Sequence, residues 1–237
     1  MEAAIPENDE RPNEYECSEP WLGSFLNLDK PRTISKSSTE KPKFSANFEI
    51  AKDHPDVARL RAAIVACAHE EWPQLDVGAA IKDGRLQVPL SDGDKLADKA
   101  ARENEDAGHK NYKKNRLREW SRGKSVLIAR SEFLPPTVVR ENGVAQALAD
   151  QDAVSRLKNK FFFTGVDCYF AVKLNAYNGV GTNGLPGVNA YLLHTESLGT
   201  GTHLIKGRDP TERFSHYRGL ATQEDPTREP ATADRDW

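Results

Sequence analysis

Residues 165–179, GVDCYFAVKLNAYNG, decide the fold class of this chain. Val166, Cys168, Phe170, Val172, Leu174 and Ala176 fall on one side of an extended backbone. Asp167, Tyr169, Ala171, Lys173, Asn175 and Tyr177 fall on the other. Successive side chains of a strand point to opposite faces, so this alternation predicts a long strand with one core face. After a glycine-rich loop comes VNAYLLH, residues 188–194. Val188, Ala190 and Leu192 point one way there, and Asn189, Tyr191 and Leu193 the other, which supplies an antiparallel partner.

The loop between them, GVGTNG, matches a dinucleotide-binding pattern through Gly179, Gly181 and Gly184. That chemistry needs a helix opening directly after the glycines, so that its N-terminus meets a pyrophosphate. Pro186 and Gly187 follow instead, then the second strand, so a hairpin loop is expected. A nucleotide-using enzyme is the alternative this motif leaves open.

Working outward, KPKFSANFEIAK (41–52) alternates through Phe44, Ala46, Phe48 and Ile50 and predicts a half-buried strand. DHPDVARLRAAIVACAHEEW (53–72) predicts an amphipathic helix, capped near Asp53 or His54, with Pro55 in its first turn. Val57, Leu60, Ile64 and Cys67 form its apolar stripe, which must lie on a sheet. RLQVPLSDGD (85–94) predicts a short strand stopped at Asp92-Gly93, and KSVLIARS (124–131) another. PPTVV (135–139) is a further candidate strand, and residues 151–160 a short helix. Order is expected to begin near WLGSF, residues 21–25. The class is therefore mostly β with one packed helix, and a small barrel solves the edge-strand problem better than a sandwich.

The chain has 237 residues, 38% hydrophobic and 29% charged, with a net charge of -3. Cys17, Cys67 and Cys168 have no paired spacing, which points to a reducing, cytoplasmic compartment rather than a disulfide framework. The acidic opening residues lack the apolar stretch of a signal peptide, and no run approaches a membrane span. No two of the six histidines have the i, i+4 spacing of a zinc protease. No nucleophile elbow or Cys/His signature appears. Asp92 and Asp94 flank a glycine and read as a turn. Neither enzyme chemistry, cofactor nor metal is expected.

Charge is distributed unevenly. Residues 109–130 carry Lys110, Lys113, Lys114, Arg116, Arg118, Arg122, Lys124 and Arg130 against the single acid Glu119, with Tyr112 and Trp120 interleaved. Cations track a phosphate backbone and rings stack on bases, so this mixture points to single-stranded nucleic acid, against the alternative of a solvated loop. Tyr169, Lys173 and Tyr177, with Tyr191 on the next strand, add rings and a cation to the non-core face of the hairpin. Residues 1–20 hold seven acids and one base and are expected to be disordered. Residues 222–237 hold five acids and two bases and end in Trp237. An indole among carboxylates is a small hot spot for a partner protein.

Taken in order, these stretches resemble the phage-encoded single-stranded DNA-binding protein family with an OB fold. KPKFSANFEIAK resembles its first hairpin, HPDVARLRAAIVACA the helix after it, and VPLSDGD its turn. GKSVLIARS resembles a strand ending in a base, and the 165–194 region the signature hairpin. The resemblance implies a five-stranded OB barrel over residues 21–205, with a basic insertion at about 95–122 and a polar, acidic tail over 206–237. It implies a protein that coats single strands in phage replication, recombination and repair. Lys124, Arg130, Tyr169, Lys173 and Tyr177 would face DNA. Asp234, Asp236 and Trp237 would recruit a replicative DNA polymerase and a primase-helicase, and a homodimer is compatible with such a role. A strand-annealing assembly factor is the alternative reading.

Overall fold

The computed structural model describes residues 13–33, 41–106, 118–179 and 184–204. Their strands, in chain order, are β1 (Glu14–Glu16), β2 (Trp21–Arg32), β3 (Lys43–Ala51), β4 (Leu90–Asp92), β5 (Lys124–Ser131), β6 (Thr137–Glu141), β7 (Val144–Leu148), β8 (Val166–Tyr177) and β9 (Gly187–Gly201). The helices are α1 (Pro55–Glu71), α2 (Val77–Lys82), α3 (Gly93–Asp106) and α4 (Gln151–Phe161), with a 3-10 turn at Glu119–Ser121. The chain is mostly β, as the alternation predicts. The described residues hold nine strands, against the five of the barrel the resemblance implies, and four helices, against the two expected over 53–72 and 151–160.

Five of the strands pair in a closed circuit: β2 with β3, β3 with β5, β5 with β9, β9 with β8, and β8 back to β2. This is the expected OB core. The circuit is thin at two links, however. Only Ala129 and Arg130 pair with β9, in parallel, and only Trp21–Gly23 pair with β8. It is therefore not a continuously hydrogen-bonded barrel. The remaining strands extend it, β1 beside β8, β4 beside β5, and the β6–β7 hairpin beside β9.

The inward faces meet around Phe170 on β8. Phe48 of β3 stacks on its ring at 4.1 Å between centroids, Trp21 of β2 meets it edge-on at 5.2 Å, and Tyr15 of β1 lies at 6.3 Å. Aromatic side chains bury large apolar areas, and offset-stacked and edge-on pairs add about 0.5–1.5 kcal/mol each beyond that burial. Helix α1 lays Val57, Leu60, Ile64 and Cys67 on this core, the stripe read from the sequence. Its N-cap is His54, whose Nδ1 accepts from the Asp56 amide at 3.2 Å. Helix α4 contributes Val154 and Phe161, and starts from an Asp150 cap.

Order begins before Trp21, inside the acidic segment. Tyr15 is buried in the core and its hydroxyl donates to the Asp56 carbonyl at 3.1 Å. One core-seeking ring is enough to pair Glu14–Glu16 with β8 despite the surrounding acids. Three further departures have local causes. β2 escapes period-two reading because Phe25 adopts a left-handed φ of 50° and the register shifts between Ser24 and Asn27. The β6–β7 hairpin turns at Asn142-Gly143, both at positive φ, the dipeptide a tight hairpin favours. Asp92-Gly93 is a helix start rather than a plain turn, with Asp92 Oδ1 accepting from the Asp94 amide at 2.9 Å.

Asp56 ties the first strands to α1. It is buried, and accepts from the Ser18 amide (2.9 Å), the Ser18 hydroxyl (2.7 Å) and the Trp21 indole (3.4 Å), while pairing with Arg59 at 2.6 Å. Burial pushes its carboxyl upward, but the Ser18 and Trp21 hydrogen bonds and the Arg59 charge outweigh it and hold the group below its ordinary value. A depressed carboxylate stabilises the fold above its unfolded pKa and loses that contribution as pH falls through its folded pKa. Asp56→Ala is expected to cost about 1–3 kcal/mol at pH 7, because it leaves the buried Trp21 indole without its acceptor and removes the tie between Ser18 and α1. In denaturant melts the gap between the two proteins should shrink progressively below about pH 4.

Candidate nucleic-acid interface

Cross-strand register builds one row over the outer face. Asn27 of β2 opposes Ser45 of β3, Ser45 opposes Arg130 of β5, Arg130 opposes Tyr191 of β9, and Tyr191 opposes Lys173 of β8. Directly opposed residues share a face, so the row follows from pairing alone. The first pair is hydrogen-bonded, with Asn27 Nδ2 donating to Ser45 Oγ at 3.1 Å. Beside the row lies a groove of about 470 Å³, lined by Lys43, Arg130, Asn175, Tyr177, Asn189 and Tyr191 among others. Three of the residues singled out from the sequence, Arg130, Tyr177 and Tyr191, thus meet in one depression. Lys173 adjoins it through the row.

The groove floor is held by close packing. Tyr177 opposes Gly187, and its hydroxyl donates to Gln87 Oε1 at 3.1 Å. A Cβ on Gly187 would sit 2.6 Å from both the Tyr177 hydroxyl and the Gln87 carbonyl oxygen. Glycine is required there because the ring and a neighbouring backbone lie directly over the α-carbon.

Tyr169 does not join the groove. It opposes Glu196, which pairs with Arg140. A register shift at Leu193 separates this part of the hairpin from the Tyr191 row and returns Thr195 and Ser197 to the interior. Period-two reading cannot see such a bulge, so the expected facing of Leu193 with Tyr191 breaks there.

The end of the basic run has mixed fates. Arg118 is half-buried, its guanidinium 4.6 Å from the Phe25 ring, and burial pulls its pKa down. Trp120 packs 6.0 Å from Phe25 and its indole donates to Glu49 Oε1 at 3.3 Å. Arg122 pairs with Glu119 and Asp98, hydrogen bonds that raise its pKa. Lys124 opposes Ala51 at the opposite end of β5 from Arg130. Lys110, Tyr112, Lys113, Lys114 and Arg116, and the tail residues Asp234, Asp236 and Trp237, lie outside the described residues. Sequence reading missed Lys43, Asn175 and Asn189. Their only signal was position on the non-core face of a predicted strand.

Other chemistries find little support. Among the described residues no group of three His, Cys, Asp or Glu side chains could hold a metal ion. Gly179 and Gly184 flank a connection between antiparallel strands, and β9 begins at Gly187, so no helix opens after the glycines as a dinucleotide site requires. Among the described residues no helix is long and apolar enough to cross a membrane. Burial pushes the Cys17 thiol up to about 12 and raises Cys67 and Cys168 as well, which disfavours the reactive thiolate form.

No family model and no curated protein sequence matches this chain. Solved structures do. The single-stranded DNA-binding protein from bacteriophage Enc34, in a C-terminally truncated form, aligns with a TM-score of 0.54 at 16% identity, covering 81% of this chain and 88% of that one. The form without that truncation aligns at 0.53, also with 16% identity, covering 84% and 88%. The same protein in complex with single-stranded DNA aligns at 0.50 with 14% identity, covering 81% and 89%. At this identity the likeness is one of fold.

The packing over Gly187 gives a direct check on the groove. Gly187→Ala is expected to displace Tyr177 and to lower stability by about 1–3 kcal/mol, read from the denaturant midpoint.

Proposed function

We propose that this chain binds unpaired polynucleotide, single-stranded DNA above all, along the outer face of β3, β5, β9 and β8. The observation that carries the reading is the row Ser45, Arg130, Tyr191 and Lys173, which sets cations and a ring side by side along one groove. Guanidinium and ammonium groups neutralise phosphates, and tyrosine rings stack on bases of any sequence. The likeness in fold to a single-stranded DNA-binding protein supports the same reading.

On this reading the chain coats single strands in phage replication, recombination and repair, without catalysing a reaction. Lys110, Lys113, Lys114 and Arg116 contribute further phosphate neutralisation, and the acidic segment ending in Asp234, Asp236 and Trp237 recruits replication proteins such as a polymerase and a primase-helicase. Arg118 and Trp120 act mainly by shaping the platform around Phe25. Arg122, held by two acids, contributes least.

Titration of a labelled oligothymidylate against salt tests the proposal. Log affinity should fall linearly with log salt, by about 0.7 per neutralised phosphate. Arg130→Ala should flatten that slope by about 0.7. Tyr191→Ala should keep the slope and lose about 1–3 kcal/mol of affinity at every salt concentration. A salt-independent response, or equal affinity for duplex DNA, overturns the reading.

A further inference from the structure

The Val88–Leu90 segment separates two grooves, and the second has a different chemistry. It lies between α1, α2 and α3 and measures about 580 Å³. Its floor is aliphatic, built from Ile64, Val65, Ile81, Leu90 and Leu96. All but Ile64 are only half-buried, so apolar surface is left open to solvent. Among the described residues its rim carries Lys52, Arg61, Lys95 and Lys99 against the one acid Asp92.

Those cations differ in how far they are already engaged. Lys52 pairs with Asp92 at 2.8 Å and with Asp94, so it is neutralised within the fold. Arg61 and Lys95 make no ion pair among the described residues. Lys99 reaches Glu103 only at 3.9 Å, with both side chains exposed, a pair of little worth. Three cations therefore surround an apolar depression with their charge essentially unspent. One comes from α1 and two from successive turns of α3.

We infer that this groove is a docking site for an acidic peptide segment of a partner protein, one that seats a single large apolar side chain on the aliphatic floor while its carboxylates meet Arg61, Lys95 and Lys99. Charge complementarity selects an anionic ligand. The floor then decides which kind. Among the described residues no aromatic ring lines this groove, so bases would find nothing there to stack on, whereas a leucine- or tryptophan-sized side chain would bury apolar area. Its volume lies in the range of sites that take one compact group. An anchor in a pocket ringed by charged contacts is the pattern of an interface hot spot. The outer face, with its tyrosines, is built for the opposite preference, so strand and peptide could be held at once.

The test uses the full chain and a fluorescein-labelled twelve-residue synthetic peptide of aspartate and glutamate with one central tryptophan, read by anisotropy. Saturable binding is expected. It should weaken at least about tenfold when serine replaces the tryptophan, and by a similar factor in the combined Lys95→Glu, Lys99→Glu variant. Arg61→Glu, on a different helix, should weaken it in the same direction and guards against a local effect on α3. Oligothymidylate affinity of these variants should stay close to that of the parent. Equal binding of the tryptophan and serine peptides overturns the inference, as does indifference to both rim variants. Displacement of the peptide by oligothymidylate also overturns it, since the groove would then belong to nucleic acid. Failure of the parent to bind oligothymidylate would count against the outer-face reading alone.

Discussion

The ring of Phe170 is the constraint on which the rest of this molecule depends. It takes contacts from β1, β2 and β3 at once, through Tyr15, Trp21 and Phe48. Its hydrogen-bonded links are weak by comparison: β2 meets β8 over three residues only. A short ladder contributes little, because each backbone hydrogen bond merely replaces one to water. The apolar contact beneath it, removed from water and densely packed, is what keeps the circuit together. Asp56 adds a buried polar tie, and it works because every donor around it has an acceptor.

Fixing the inner face fixes the outer one. Once Phe170, Val172 and Leu174 point inward, Lys173 and Asn175 have no choice but to point outward. Once Ala129 opposes Ala190 in the interior, Arg130 must oppose Tyr191 outside. The cations and rings of the outer groove are therefore side by side as a consequence of core packing, not of attraction among themselves.

Charge plays two distinct roles in the chain. Glu49 lies on the outer side of β3 yet is almost wholly buried, accepting from Ser24 and Trp120. With Arg118 over Phe25, it turns the end of the basic run into part of the folded body. Arg122 is likewise committed to acids of its own neighbourhood. Arg61, Lys95 and Lys99 are not so committed, and they sit where apolar surface is exposed. A count of basic residues along the sequence treats all of these alike. Only their partners separate structural cations from those free to recognise something.

The sequence by itself determined the elements whose periodicity is unbroken, β3, α1, β5, α4 and the long strand β8, and the first half of β9 as far as its bulge. It did so because side-chain direction alternates along a strand and recurs every three to four residues on a helix, both local rules. It also named Tyr177, Lys173 and Tyr191, since their face followed from the same alternation, and Arg130 through the run of basic residues that ends on β5. It could not foresee β1, whose single core ring is masked by acids, nor the full length of β2, whose pattern a positive φ at Phe25 interrupts. The bulge at Leu193, which sends Tyr169 toward Glu196 and away from the groove, was equally invisible. Tertiary structure alone decided which strands are neighbours, and hence which outward residues meet. That choice is made by contacts between residues far apart in the chain, such as Phe48 with Phe170, and no local pattern encodes them.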